Sequence, residues 1–183
     1  MPGISDINWL YHKYYSDNPE LRNILAKHSE CVAKKALQIN KDKKLGIERR
    51  DIYIAAMLHD IGVVKCNAPG IHAFGKLPYI CHGIEGEKML SEAGLEQYAS
   101  ICSSHTGTGI TKEEVIKNQI PLPADRDYLP KTLLEKLICY SDKFFSKSND
   151  LSREKELDEV RESMKKFGEP SLKRFDELHK LFS

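Results

Sequence analysis

An apolar helical run between Ile52 and Val64 is broken by one adjacent polar pair, His59-Asp60, which is followed at once by Ile61-Gly62. Two such side chains withdrawn from water cost several kcal/mol unless they are hydrogen-bonded, paired or metal-bound. Any fold of this chain must therefore bring partners to the doublet. The candidates are His28 upstream and His82, His105 and Asp142 downstream.

The dominant period along the chain is helical, and no repeat or low-complexity tract interrupts it. Asn18-Pro19 reads as an N-cap followed by proline in the first turn, after which Leu21, Ile24, Leu25, His28, Val32 and Ile39 trace one face. A second helix, about 48–63, sets Ile52, Ala55 and His59 on one stripe and Ala56 and Asp60 on the next ridge, with Gly62 loosening its last turn. Residues 65–81, with Pro69, Gly70, Gly75 and Pro78, read as a long loop beside the doublet. Helices follow at about 82–93, stopped by Gly94, and about 95–104, so that His82 and His105 stand at a helix start and a helix end. Thr111 to Glu114 has the capping-box form, and 121–130 is a second loop. Over 131–147, Leu134, Ile138 and Asp142 recur four apart and aim the aspartate along the apolar stripe. Two amphipathic helices separated by Gly168-Glu169-Pro170 close the chain. They predict a structural appendage over 150–183, with a homodimer contact as the alternative use of their apolar stripes. No strand pattern stands out, so the predicted class is all-α, with 1–183 as a single-domain helical bundle and 20–147 as its metal-binding core.

Composition excludes more than it assigns. A chain of 183 residues can bury roughly two thirds of its unfolded surface around one core. Lys+Arg 28 against Asp+Glu 27 leaves no overall field toward nucleic acid or an anionic membrane, and no aromatic-basic platform for single strands is visible. The start, Met1-Pro2-Gly3-Ile4-Ser5-Asp6, has no secretory pattern and no run of ~18 apolar residues occurs, so a cytoplasmic location is expected. Five cysteines form no Cys-x-x-Cys pair. Cys31, Cys102 and Cys139 read as small core residues, while Cys66 and Cys81 flank the loop near the doublet and are at most accessory thiolate ligands.

Neutral imidazoles and carboxylates are ligands of first-row divalent metals, and inward residues at helix termini can converge on one point of a bundle. Taken singly, His28 reads as a hydrogen-bonded core histidine, and Asp142 as the partner of a backbone donor. Four histidines and two aspartates on the buried faces or ends of five helices are a different matter. Their joint occurrence favours metal chemistry.

The order His28, His59-Asp60, Asp142 resembles the HD-domain superfamily, and His59-Asp60-Ile61-Gly62 matches its HDIG subgroup letter for letter. The added pair His82 and His105 is similar to the branch that holds two metals, which includes bacterial HD-domain diadenosine tetraphosphate hydrolases and the HD-domain oxygenases. The resemblance implies that His28, His59, Asp60 and Asp142 hold one ion and that Asp60 bridges to a second, held by His82 and His105; the identity of the metal (Fe, Mn, Ni, Co or Zn) stays open. Two divalent ions against two aspartates leave a local surplus of two positive charges, which draws phosphate oxygens and favours a metal-activated water. The implied function is a metal-dependent phosphohydrolase acting on a nucleotide or related small phosphoester, with a di-iron oxygenase as the alternative on the same ligands.

Around these ligands, Asp60 and Lys65 are the candidate catalytic groups. In many HDIG relatives a lysine directly follows the glycine; here Val63-Val64 displaces it to Lys65, which as readily reads as a solvated loop residue. Thr106, Gly107 and Thr108 offer hydroxyls and exposed backbone N–H groups as a phosphate cradle, and Arg126 and Lys143 are further candidates for substrate contact. His12, His72 and His179 fall outside the pattern, as surface or loop histidines.

Overall fold

Asn18 opens the longest helix as the sequence predicts: its side chain accepts from Leu21 N at 3.0 Å, and Pro19 fills the first turn. The computed structural model describes residues 4–148 and 150–183, so Met1, Pro2, Gly3 and Asn149 lie outside the described residues. Its helices are α1 (Ile4–Tyr15), α2 (Pro19–Asp42), α3 (Arg49–Leu58), α4 (His82–Glu92), α5 (Glu96–Ser104), α6 (Lys112–Lys117), α7 (Leu133–Asp142), α8 (Leu157–Lys165) and α9 (Glu169–Phe182). The architecture is all-α. The only sheet among the described residues is a two-residue antiparallel pair, β1 (Asn67–Ala68) with β2 (Ala73–Phe74), inside the segment predicted to be a loop. None of the described helices is long and apolar enough to cross a membrane.

The centre of the core is α2 packed on α3 and α7. Leu21, Leu25, Val32 and Ala36 of α2, Ile52, Ala55 and Ala56 of α3, and Leu137 and Ile138 of α7 are buried there, together with His28. Thr132 and Glu135 start α7 with a reciprocal capping box, which stops its N-terminal amides from being left without acceptors.

Helix α3 ends at Leu58, not near Val63, and the doublet lies just beyond it, ahead of a 3-10 turn over Ile61–Lys65. A buried helix end leaves four carbonyls without intrahelical donors, and here each is answered. His59 N donates to Ala55 O at 3.0 Å, His59 Nδ1 to Ala56 O at 2.6 Å, Tyr11 Oη to Met57 O at 2.9 Å and Cys102 Sγ to Leu58 O at 3.4 Å. Tyr15 Oη reaches one turn further, to Ile61 O at 2.6 Å. Helix α1, which the sequence reading left unassigned, thus braces the doublet through two tyrosine hydroxyls.

Glycines set how closely α4 approaches. A Cβ at Gly62 would lie 2.1 Å from His82 O and 2.4 Å from Gly86 N, and one at Gly83 would lie 2.7 Å from Cys102 O. Gly62 is therefore a contact point of the 3-10 turn with α4, and not the loosened helix turn expected. The same backbone proximity of α4 to α5 brings His82 beside His105.

Helices α8 and α9 bury their apolar stripes against this chain: Val160, Met164, Phe175, Leu178 and Phe182 are buried, and Tyr140 of α7 stacks on Phe175 with ring centroids 5.7 Å apart. Thr108 Oγ1 donates to Ser171 O at 2.8 Å, fastening α9 to the turn after α5. Phe175→Ala should lower stability by about 3–5 kcal/mol, the usual cost of emptying a fully buried aromatic site. A urea titration of the two proteins measures it, and a difference below about 1 kcal/mol would show α9 to be only loosely attached.

Candidate metal centre

His28, His59, Asp60, His82, His105 and Asp142 are all buried, none more than 6% exposed. They form two groups of potential ligands, His28, His59, Asp60 and Asp142 in one and Asp60, His82 and His105 in the other, with the ligand atoms of each group within 4.8 Å of one another. Asp60 belongs to both and turns one oxygen to each. Its Oδ2 lies 3.4 Å from His28 Nε2 and 3.1 Å from His59 Nε2, while its Oδ1 lies 3.6 Å from His82 Nε2 and 3.3 Å from His105 Nε2. Asp142 Oδ1 lies 2.9 Å from His28 Nε2 and 3.4 Å from His59 Nε2.

The local fold fixes which nitrogen each imidazole presents. His59 and His105 each follow the last residue of an α-helix, where backbone carbonyls lack helical donors, and His82 stands at the junction of a 3-10 turn over Tyr79–Cys81 with α4; each turns Nδ1 back on a carbonyl of the preceding turn. The acceptors are Ala56 O at 2.6 Å, Tyr79 O at 2.6 Å and Ile101 O at 3.1 Å. A carbonyl only accepts, so Nδ1 carries the proton and the neutral ring aims a bare Nε2 lone pair at the centre.

That arrangement tests whether the residues suit a cation. His82 Nε2 and His105 Nε2, both proton-free in the neutral rings, face one another at 3.1 Å, and both also face Asp60 Oδ1. Acceptors opposed at these distances repel unless a proton or a metal lies among them. His59 Nε2 and both Asp60 oxygens are buried without a well-directed hydrogen bond. The donor set of nitrogens and carboxylate oxygens fits a first-row divalent ion.

Charge within the protein points the same way. Burial lowers His28 to about 4, with Lys147 adding to the effect, and burial with His105 lowers His82 to about 3; burial also lowers His105. These rings are neutral at pH 7, the form that ligates. For His59 burial acts downward, but the Asp60 and Asp142 carboxylates outweigh it and raise the ring to about 9, so a proton there stands where a cation would. Burial would raise both carboxyls; His59 and Lys147 hold Asp60 well below the usual carboxylate range, and Lys143 and Lys147 do so for Asp142.

Residues beyond the six distribute unevenly. Lys143 is buried, donating to Asp142 Oδ2 at 2.6 Å and to His105 O at 2.7 Å. Lys65 is exposed at the end of the 3-10 turn, and among the described residues its side chain has no ion pair or hydrogen bond. Thr108 is fully buried with its hydroxyl committed to Ser171, whereas Thr106 and Gly107 line a cleft with Phe167 and Arg174. Arg126 is on the surface, forked onto Glu87 and lying 4.9 Å over the Tyr128 ring. Cys66 and Cys81 belong to neither ligand group: Cys81 Sγ donates to Pro121 O at 3.4 Å, and burial pushes the Cys66 thiol up to about 12. His12 and His72 are exposed, and His179 packs in the Tyr140–Phe175 cluster with its Nδ1 2.9 Å from Tyr140 Oη.

Two neighbours of the centre escaped the sequence reading. Lys147 places Nζ 2.7 Å from Asp60 Oδ2 and 4.0 Å from Asp142 Oδ1. The helix predicted to run to 147 would have turned this lysine about 140° away from Asp142. Because α7 stops at Asp142, the following residues fold back instead. Tyr79 is the other: its carbonyl orients His82 and its ring lies 4.7 Å from the His82 ring. No spacing rule connects it to the ligands.

A buried histidine–aspartate cluster on an all-helical scaffold is thus the defining feature of the chain. Residues 25–146 match the HD domain, and the chain belongs to the HD-domain family, part of a superfamily of metal-dependent phosphohydrolases. It is 34% identical over 161 residues to an uncharacterized protein of Methanocaldococcus jannaschii, a match covering 84% of each chain. It is 31% identical over 125 residues to a tRNA (cytidine(56)-2'-O)-methyltransferase of Picrophilus torridus, covering 68% of this chain and 32% of that protein. A protein of the same name from Thermoplasma volcanium is 29% identical over 160 residues, covering 87% and 42% respectively. The chain therefore spans less than half the length of either methyltransferase. No solved structure matches it.

Proposed function

We propose that the protein is a metal-dependent phosphohydrolase that acts on a nucleotide or related small phosphoester at a dinuclear site. The observation that carries this reading is Asp60, whose two oxygens face two separate sets of histidine nitrogens. His28, His59, Asp60 and Asp142 would hold one ion, and Asp60, His82 and His105 the other. Divalent ions bound there would lower the pKa of a water from ~16 toward neutrality and offset charge building on the phosphoryl oxygens. The chain's part is preorganisation. Backbone carbonyls lock three imidazoles with Nε2 inward, burial keeps His28, His82 and His105 neutral, and Lys143 ties Asp142 to the His105 backbone.

The test is an assay of protein stripped of metal and reloaded with manganese, iron, cobalt, nickel or zinc. The panel holds nucleotides, dinucleotides, simple phosphoesters and, because two longer relatives are named for action on tRNA, short RNAs with terminal phosphates. Metal-dependent release of phosphate or a nucleotide, lost on chelation and unaffected by removing oxygen, is the expected result. Silence across the panel with metal content verified would sink the reading, and turnover that requires dioxygen would favour the di-iron oxygenase.

A further inference from the structure

We infer that Lys147 is a substrate-binding residue and that, with Lys143, it selects a terminal phosphate dianion over a phosphodiester; this deepens the proposed phosphohydrolase reading and rests on it. The inference begins from charge at the centre. The aspartates bring two negative charges, but each already faces an ammonium group, Asp142 Oδ2 that of Lys143 at 2.6 Å and Asp60 Oδ2 that of Lys147 at 2.7 Å. With the lysines included the protein's own charges cancel, so every positive charge of a bound ion is surplus. One divalent ion leaves two such charges and a pair leaves four, in a setting that screens them poorly. A diester carries a single negative charge and a terminal phosphate two, so the second answers this centre better.

The two lysines differ in a way that assigns their roles. Lys143 is fixed: its side chain is 7% exposed and its Nζ is shared between Asp142 and the His105 carbonyl. Lys147 stands in the irregular stretch after α7, its side chain 16% exposed, and Asp60 and Asp142 are the only carboxylates within 4.0 Å of its Nζ among the described residues. Once bound cations engage those carboxylates, an ammonium so placed loses its counter-charge, and an unpaired charge at a mostly buried position is costly. The anionic substrate restores it. Lys147 thereby fills the phosphate-contacting position that the sequence suggested for Lys65, whose side chain stands exposed.

The test uses metal-loaded protein with Lys147→Met and Lys147→Arg variants, metal content being measured in each. Binding of inorganic phosphate is followed by calorimetry, and turnover is compared for a nucleoside monophosphate and its methyl diester. We expect Lys147→Met to keep its metal yet bind phosphate about ten- to a hundredfold more weakly, the range of one charge-assisted hydrogen bond, with Lys147→Arg intermediate. The monoester should be preferred by wild type, with that preference narrowed in Lys147→Met through a raised KM. Unchanged phosphate affinity in Lys147→Met, or a wild-type preference for the diester, overturns the inference. If wild type binds phosphate through Lys147 but hydrolyses nothing, the phosphohydrolase reading fails while the assignment of Lys147 as a phosphate ligand stands.

Discussion

Asp60→Asn should empty both halves of the metal centre at once, an effect no other single ligand substitution is expected to reproduce. Asp60 is the one residue common to the two ligand groups. Replacing one oxygen by an amide nitrogen removes a ligand from one group, and loss of the charge weakens the other. Substitution of residues that merely orient ligands typically costs ten- to a hundredfold in metal affinity, so loss of a shared carboxylate should cost at least about a hundredfold at each of the two proposed ion positions. His82→Ala provides the contrast, since it leaves His28, His59, Asp60 and Asp142 in place and should lower metal content only in part. Elemental analysis after dialysis against a weak chelator measures both. The same substitution also leaves Lys147 facing a neutral amide, and breaking a buried ion pair from one side costs about 3–5 kcal/mol. The metal-free Asp60→Asn protein should therefore also melt earlier than metal-free wild type. Equal loss of metal in Asp60→Asn and His82→Ala would mean that the two groups do not act as separate holders.

What could be read from the letters and what could not divide along physical lines. Helical period identifies a face from its apolar residues, so the inward placement of His28 and Asp142 follows from Leu21, Leu25, Leu134 and Ile138; Leu21, Leu25 and Ile138 are buried and Leu134 is half-buried against the same core, in agreement with it. Period says little about where a helix stops. Both α3 and α7 end about five residues sooner than their apolar patterns continue, and each early stop shapes the centre: one frees the Ala56 carbonyl for His59 Nδ1, the other returns Lys147 to Asp60. Contacts between elements distant in the chain leave no local trace at all. The hydroxyls of Tyr11 and Tyr15 on α3 and on the turn beyond it are of this kind, as is the hold of Thr108 on Ser171. Gly62 belongs with them, because a glycine that admits a neighbouring backbone looks in sequence like one that supplies flexibility.

That distinction makes Gly62→Ala the second large expected effect. Flexibility could be surrendered at a cost of about 1 kcal/mol or even with a gain, since alanine orders the unfolded chain less expensively than glycine. Close approach cannot. The added methyl would stand 2.1 Å from His82 O and 2.4 Å from Gly86 N, and both are backbone atoms with no rotamer to yield. Relief requires α4 to retreat from the 3-10 turn, which carries His82 away from Asp60 and opens the packing of α4 on α5. Overpacking of this kind costs about 1–3 kcal/mol where side chains can adjust, so a collision with backbone should exceed about 3 kcal/mol. Gly86→Ala is the graded comparison: its methyl meets Cys102 Cβ and Sγ at 3.0 Å and Gly62 N at 3.3 Å, tight contacts but longer than those at Gly62, and a smaller loss is expected. Gly70→Ala meets nothing within 4 Å and should be neutral or slightly stabilising. Urea unfolding of the three variants ranks them, and metal content tells whether the damage reaches the centre. On the dinuclear reading proposed above, Gly62→Ala should lose the ion assigned to His82 and His105 before the other; if it unfolds at the same urea concentration as Gly70→Ala, the backbone contact between the turn and α4 is not what seats His82.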